Sequence, residues 1–158
     1  MFKISESVDI DRPLAEVFAY VSDPRNRHSW QAALHEVRVD GGKHTEVRKL
    51  MGRRVEHDVE TTEHIANQHV TYRATGRGHE SMLTTHIKFT EAGTLTRVAL
   101  DMEVDTSGML TSGEPVIQRI IQREIRSNLE HLKDILEAHP DIHTVMEATF
   151  PRHPGRSG

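Results

Sequence analysis

The sequence predicts an α+β fold in which an antiparallel β-sheet is covered on one face by a single long helix. Between residues 34 and 106, short runs of alternating apolar and polar residues are separated by turn residues, which is typical of antiparallel strands with one face in water. Residues 114–138 instead repeat apolar residues every three or four positions, which indicates an amphipathic helix. An antiparallel sheet must bury its apolar face, and this helix is the only predicted element long enough to cover it.

The composition limits the classes of protein to which the chain can belong. Its 158 residues suit one domain, and the net charge of −4 gives no reason to expect nucleic acid as a partner. The absence of cysteine excludes disulfides, thiolate catalysis and cysteine-based zinc sites. No apolar run is long enough for membrane insertion. Met1 leads directly into alternating residues without an apolar signal region, so we expect a cytoplasmic protein.

The first forty residues predict one strand and two short helices. In residues 2–11 the apolar residues share one parity, with Glu6 as the exception among them. Pro13 ends this strand and suits the start of a helix, which continues at helical spacing until Asp23-Pro24. A second short helical turn is expected around residues 25–33, with Trp30 as its only large apolar residue.

The central part of the chain predicts six further strands, after which the long helix follows. Glycine-containing turns, beginning with Gly41-Gly42, separate the strands. The clearest parity is that of residues 53–64, where an apolar set around His57 alternates with a fully charged set. The helix has a proline near its start and another just after its end, at Pro115 and Pro140. We therefore expect a single domain over residues 1–138. The tail, residues 139–158, is expected to be mostly mobile, with Ile142, Val145, Met146 and Phe150 as candidate docking residues.

Residues 2–39 carry a resemblance to a known group of proteins. The strand Ile4–Asp11, the break at Pro13, the helix Ala15–Asp23 and the following Trp30 resemble the opening of the helix-grip superfamily. This superfamily comprises START-like, birch-pollen-allergen-like and polyketide cyclase/dehydratase-like proteins. The resemblance implies a seven-stranded curved antiparallel sheet wrapped on the long C-terminal helix, two short helices after strand 1 and an apolar cavity between sheet and helix. It is specific for the fold and uninformative about activity, because members include ligand carriers, hormone receptors, aromatic cyclases, ring-hydroxylase subunits and co-chaperone activators.

The informative residues in such a cavity are polar residues on the apolar faces of strands. They are Glu6, His57, Thr61, Tyr72, Thr85 and Thr96, whereas His35 and Lys49 lie on strands of ambiguous parity. Glu6 is either an acid, base or ligand anchor, or a carboxylate that pairs with a lysine or arginine or reaches solvent. His57 is either a proton-transfer group or a satisfied core histidine. Tyr72 either donates its hydroxyl into the cavity or packs its ring with the hydroxyl at the rim.

These considerations define the candidate sites. The predicted ligand-binding residues are Glu6, Trp30, His57, Val59, Tyr72, Leu83, Thr85, Ile87, Val98, Leu100, Met102, Ile117, Ile121 and Ile125. If the protein is an enzyme, the predicted catalytic residues are His57, Glu6 and Tyr72. We expect no metal site and no cofactor, because the other histidines, His44 among them, fall on solvent-facing parities or loops and no H-E-x-x-H motif occurs.

Three functions fit these features. The first is a carrier or sensor that binds a small hydrophobic molecule, lipid-like or aromatic, in the cavity. The second is an enzyme of the polyketide cyclase or dehydratase kind that moves protons with His57, Glu6 and Tyr72. The third is a co-chaperone-like interaction module, which ranks last because the charged strand faces contain no apolar patch. The oligomeric state is not readable from the sequence, and a homodimer through a sheet edge or the tail stays open.

Overall fold

The computed structural model describes residues 1–50, 52–77, 82–105 and 113–138. The chain begins with strand β1 (Phe2–Ile10), which is followed by three short helical segments, α1 (Leu14–Ser22), a 3-10 turn (Pro24–Asn26) and α2 (Arg27–Trp30). Six strands follow, namely β2 (Leu34–Asp40), β3 (Lys43–Leu50), β4 (Arg53–Ile65), β5 (His69–Gly76), β6 (Met82–Ala92) and β7 (Leu95–Asp105). Helix α3 (Glu114–Ala138) is the last described element.

All seven strands form one antiparallel sheet in the order β1-β7-β6-β5-β4-β3-β2. Strands β2 to β7 are neighbours in sequence as well as in space, whereas β1 joins the sheet beside β7. The first and last of these strands in the sequence therefore lie side by side, and β2 forms the edge opposite to β1. The predicted α+β fold, with seven strands, two short helices after strand 1 and one long C-terminal helix, is confirmed.

Helix α3 lies along the edge strand β1. Gln118 donates a hydrogen bond to the carbonyl of Lys3 at 3.4 Å, and Lys133 Nζ donates to the carbonyl of Asp9 at 2.7 Å. Because the residue with the higher number in α3 bonds to the residue with the higher number in β1, the helix and the strand run in the same direction. On its other flank, the Asn128 side chain accepts a hydrogen bond from the Ala32 amide at 3.2 Å. The helix is thus held between the β1 edge and the segment that follows α2.

The core lies between the inner face of the sheet, α1 and the inner face of α3. Leu132 of α3, Val17 of α1 and Val98 of β7 are completely buried. The rings of Phe18 and Phe89 pack edge to face with centroids 5.0 Å apart, which joins α1 to β6. Burial of these large side chains supplies the main favourable term for folding.

Two irregularities in the sheet explain why the parity of some segments is ambiguous in the sequence. The pairing of β2 with β3 shifts between Leu34 and Glu36, so that His35 is an extra, exposed residue. The pairing of β4 with β5 shifts between Thr61 and Glu63, which changes the parity of the residues that follow. As a result the His64 ring contacts Phe18, with centroids 5.3 Å apart.

Residues 139–158, for which we expected a mostly mobile tail, lie outside the described residues. Within the ranges that the structure describes, no helix is both long enough and apolar enough to cross a bilayer.

Candidate functional site

A cluster of buried and partly buried polar side chains lies at the end of the sheet nearest α2, on the inner face. We call it the polar cluster; its members are Arg27, Gln31, His44, Glu46, Arg48, His57 and Tyr72. Strand β3 supplies three of them from alternating positions, since His44, Glu46 and Arg48 have the same parity. Arg27 and Gln31 come from α2 and the residue directly after it. The short helix therefore closes one end of the sheet with charge as well as with apolar packing.

Glu46 is the centre of the polar cluster. Its Oε1 lies 2.9 Å from Nε of Arg27 and 3.0 Å from Nε2 of His44. Its Oε2 accepts from Arg48, with Nε at 2.9 Å and a terminal nitrogen at 2.8 Å. Arg48 also donates to Oε1 of Gln31 at 2.5 Å. Both carboxylate oxygens therefore accept hydrogen bonds from β3, and Oε1 also forms an ion pair with Arg27 of α2.

The ionised form of Glu46 is stable inside the protein because of these donors. Burial would raise the pKa of this carboxyl, but the charges of Arg27 and Arg48 and the hydrogen bond from His44 outweigh burial. The Glu46 pKa is therefore well below its usual value of 4.5. Since an ionised carboxylate has no proton to give, Nε2 of His44 carries the hydrogen in this contact. The other ring nitrogen, Nδ1, then has a free lone pair whenever the imidazole is neutral.

Tyr72 joins the polar cluster to the apolar interior. The guanidinium carbon of Arg27 lies 4.7 Å from the centre of the Tyr72 ring, a cation–π contact, and the His44 ring packs against the same tyrosine at 6.2 Å. Burial raises the pKa of the Tyr72 hydroxyl. The ring is 3% exposed, and its hydroxyl has no acceptor for its own proton among the described residues. Tyr72 therefore holds a buried, neutral hydroxyl beside a cation.

Glu124 of α3 faces the polar cluster from the helix side. It is partly buried, and burial raises its carboxyl pKa while the charge of Arg48 opposes that rise. No ion pair of Glu124 occurs within the described ranges. Two carboxylates therefore lie near Arg48. Both oxygens of Glu46 on β3 accept hydrogen bonds, whereas Glu124 on α3 has no ion-pair partner among the described residues.

Glu6 adopts the second of the two alternatives considered from the sequence, because it pairs with an arginine. Its Oε1 accepts from Arg126 at 2.8 Å and from Gln122 at 3.2 Å. The hydrogen bond from Arg126 lowers the Glu6 pKa although burial opposes this. Two strands lie between β1 and β5, which carries Tyr72, so the two strands are about 14 Å apart across the sheet. The described geometry does not bring Glu6 together with Tyr72.

The other predicted residues lie where the strand pattern placed them. His57 is directly opposite Glu46 in the register, and Thr85 is opposite Tyr72. The apolar residues of the predicted site all belong to the core or pack against it; they are Trp30, Val59, Leu83, Ile87, Val98, Leu100, Met102, Ile117, Ile121 and Ile125. Thr96 is buried and donates to the Arg12 carbonyl at 2.7 Å, which holds the segment before α1. Whether any of these residues binds a ligand stays a prediction.

The expectation that His44 is solvated was wrong, and Arg27, Glu46 and Arg48 were missed. Val47 is the apolar residue of β3 whose parity is opposite to that of His44. It is also fully buried, although it lies on the other face of the sheet. Hydrophobic alternation therefore does not identify the inner face of this strand. The signal that could have found the site is the pairing with β4, because the clear parity of His57 and Val59 fixes Glu46 and His44 opposite them.

Surface concavities lie on the sheet and on the helix in the described part of the chain. One, of about 510 Å³, lies mainly on the outer face of β2 to β5 and is lined by charged residues that include Arg38, Asp58, Arg73 and Arg77. The other, of about 350 Å³, lies on α3 and is lined by Val116, Arg119, Ile120, Arg123, Glu124 and Ser127. Neither of these two is enclosed between the sheet and the helix. Of the described His, Asp and Glu side chains, no three are arranged to hold a metal ion.

Comparison with known proteins agrees with this architecture. A family profile described as "Polyketide cyclase / dehydrase and lipid transport" matches residues 1–137. No curated protein sequence matches the chain significantly.

The chain is also similar to several solved structures. The protein TTHA0849 from Thermus thermophilus has a TM-score of 0.75 at 16% identity, over 89% of this chain and all of that one (100%). A START superfamily protein from Mycobacterium smegmatis has a TM-score of 0.73 at 12% identity, over 86% and 97% of the two chains. Ara h 8.0201 has a TM-score of 0.67 at 13% identity, over 87% and 99%. At these identities the likeness establishes the fold.

Proposed function

Because the chain belongs to the polyketide cyclase/dehydrase and lipid-transport family, we propose that it binds a small hydrophobic molecule between the sheet and α3, as a carrier or sensor. The observation that carries this proposal is the contrast between the two halves of α3. In the second half, Leu129, Leu132 and Leu136 are at most 2% exposed. In the first half, Ile117 and Ile121 are only partly buried, although they point at the core.

The sheet shows the same incomplete packing opposite the first half of the helix. Leu83 of β6 and Met102 of β7 are only partly buried, although both belong to the inner face. Apolar side chains that are left partly exposed on facing elements supply free energy for a ligand that covers them, about 25 cal/mol for each Å² removed from water. A hydrophobic molecule that inserted here would move the first turns of α3 outward. The end of the molecule that lies deepest between α3 and the sheet would contact the polar cluster.

A titration with the neutral fluorescent probe Nile red tests the proposal. We expect saturable binding that is lost in Ile121→Trp, because the larger ring fills the space between α3 and the sheet. Glu130→Trp places the same ring on the exposed side of the same helix and should leave binding intact. Thermal unfolding of both variants shows whether each is folded. Absence of saturable binding, or equal binding by Ile121→Trp and the wild-type protein, contradicts the proposal.

A second candidate function is proton-transfer catalysis on a bound polyketide-like molecule. One observation favours it: His44 bridges the Glu46 carboxylate and the Tyr72 ring in a shielded site. A carboxylate that orients an imidazole leaves Nδ1 available as a base, and Tyr72 is a neutral donor. This set of His44, Glu46 and Tyr72 differs from the set of His57, Glu6 and Tyr72 that the sequence suggested, and both stay predictions.

Variants of the polar cluster test the enzyme hypothesis. With a polyketide-like substrate that the protein turns over, His44→Ala and Tyr72→Phe should each lower kcat by about a hundredfold or more. Glu6→Gln should leave kcat unchanged, because that carboxylate is held by Arg126 at the α3 edge. Full activity in both His44→Ala and Tyr72→Phe would remove this candidate.

A further inference from the structure

The polar cluster contains more hydrogen-bond donors than acceptors. The guanidinium groups of Arg27 and Arg48 share one carboxylate, Glu46, whose two oxygens are already occupied. Oε1 of Gln31, the next acceptor, is occupied by Arg48. Arginine has five donors and no acceptor, so a single carboxylate does not use the donors of two of them.

Two further buried donors belong to α2 and to the polar cluster. Nε1 of Trp30 is shielded from water and has no hydrogen-bond partner in the described ranges. The hydroxyl of Tyr72, whose ring packs against the Arg27 guanidinium, has no acceptor for its proton in those ranges either. An acceptor without a partner among the described residues, Oδ1 of Asn26, lies in the 3-10 turn, where the amide nitrogen of the same side chain donates to the Tyr20 carbonyl at 3.1 Å. Buried donors without acceptors are costly, and a ligand that brings an acceptor removes the cost.

The charges around this donor surplus favour an anion. Arg27 on α2 and Arg48 on β3 contribute two positive charges, and Glu46 contributes one negative charge. Glu124 on α3 is the remaining carboxylate beside Arg48, and it makes no ion pair in the part of the chain that the structure describes. The two guanidinium groups therefore share one directly paired carboxylate, which leaves a net charge of +1 among these three side chains.

We infer that the hydrophobic ligand carries one negatively charged oxygen group, such as a carboxylate, which lies against Arg48 and Arg27 while its apolar part lies under the first half of α3. This inference rests on the proposed function and gives it a ligand class. Arg48 is the recognition residue that the ligand reaches first, because its side chain is 20% exposed whereas that of Arg27 is 9% exposed. Trp30 and Tyr72 supply neutral donors to the same group.

A series of three ligands with the same chain and different head groups tests the inference. Dodecanoate, dodecan-1-ol and dodecylammonium compete with Nile red for the wild-type protein at low salt. We expect dodecanoate to bind at least about tenfold more tightly than the alcohol, since a charged hydrogen-bonded pair typically contributes that factor. Equal binding of acid and alcohol, or tightest binding of the ammonium compound, overturns the inference and leaves the proposed function standing. If none of them and no Nile red binds, the proposed function itself fails.

Variants of Arg48 and Glu124 test the role of the two charges, with effects of opposite sign. Arg48→Gln should weaken dodecanoate about tenfold and leave dodecan-1-ol unchanged, whereas Arg48→Lys should retain the preference for the acid. Glu124→Gln removes a competing negative charge and should tighten dodecanoate only. Arg54→Gln, at a side chain that is 70% exposed, is the matched control and should change nothing. Equal weakening of acid and alcohol in a folded Arg48→Gln protein assigns Arg48 a structural role and contradicts the inference.

Discussion

Nε of Arg27 lies 2.9 Å from a carboxylate oxygen of Glu46, and both side chains are less than one tenth exposed. This ion pair joins the short helix α2 to the third strand of the sheet. Desolvation of two charges costs several kcal/mol, which the structure offsets by adding His44 and Arg48 to the same carboxylate. The stability of the Arg27–Glu46 pair therefore depends on the further donors that occupy both carboxylate oxygens of Glu46.

Removal of the Glu46 carboxylate should destabilise the protein strongly. Glu46→Ala leaves Arg27 buried without its partner and also removes the acceptor for Arg48 and His44. We expect a loss of about 3–5 kcal/mol in the free energy of unfolding, measured by urea denaturation. Glu60→Ala, an exposed glutamate on β4, should change the free energy by less than about 0.5 kcal/mol. Similar small effects in both variants would show that the ion pair is not formed.

The free energy of unfolding should fall on acidification in a way that depends on Glu46. Its folded-state pKa is lowered, so the carboxylate contributes stability that is fully present above its usual value of about 4.5 and is lost as the pH falls through the folded-state pKa. Other lowered carboxyls, such as that of Glu6, act in the same direction. The informative quantity is thus the difference between wild type and Glu46→Gln, which should be largest at neutral pH and shrink below about pH 4.5. A difference that is independent of pH would contradict the account.

Glu124→Gln should stabilise the protein at neutral pH. The folded-state pKa of this carboxyl is raised by burial, so its ionisation costs stability as the pH rises above the usual value of 4.5. The amide avoids that cost. We expect the Tm at neutral pH to rise by roughly 1–3 °C, the size that corresponds to less than about 1 kcal/mol. The gain should vanish well below pH 4.5, where both side chains are neutral. A lower Tm at neutral pH would indicate that the Glu124 carboxylate is paired.

The contact between α3 and the sheet should depend on the second half of the helix. Leu132 is completely buried, and Leu132→Ala should cost about 2–5 kcal/mol because it deletes apolar contacts and leaves a cavity. Val116, in the first half, is 57% exposed, and Val116→Ala should cost less than about 0.5 kcal/mol. Chemical denaturation measures both. Equal losses would mean that α3 is packed along its whole length. This would contradict the difference in packing between its two halves, on which the proposed ligand site depends.

The fold was predictable because most strands carry their orientation in their own sequence. In β4 the charged set that includes Arg54 and Asp58 alternates with the set that includes His57 and Val59, and the structure buries the second set. The long helix was equally clear, because Leu129, Leu132 and Leu136 recur at helical spacing. Local periodicity is sufficient where one face of an element meets water and the other meets the core.

The polar cluster was not predictable in the same way. Glu46 resembles any surface glutamate in a strand, and only the tertiary arrangement of Arg27 and Arg48 allows it to be buried ionised. Conversely, Glu6 lies on the apolar parity of β1, and its pairing with Arg126 depends on where α3 runs. Charge pairs between residues far apart in the sequence leave no periodic signal. His57 could be placed on the inner face from the alternation of β4 itself, whereas Glu46 could be placed there only through the pairing of β3 with β4.

The most direct measurement follows the indole N–H of Trp30 by NMR during a titration with dodecanoate. Trp30 is the only tryptophan, so the protein has a single indole N–H signal, and this group is buried without a partner in the described structure. We predict that the signal shifts and saturates together with the amide signals of Arg27 and Ile121. Saturable binding that left the Trp30 signal unmoved while residues of the outer sheet face such as Arg73 shifted would contradict an interior site.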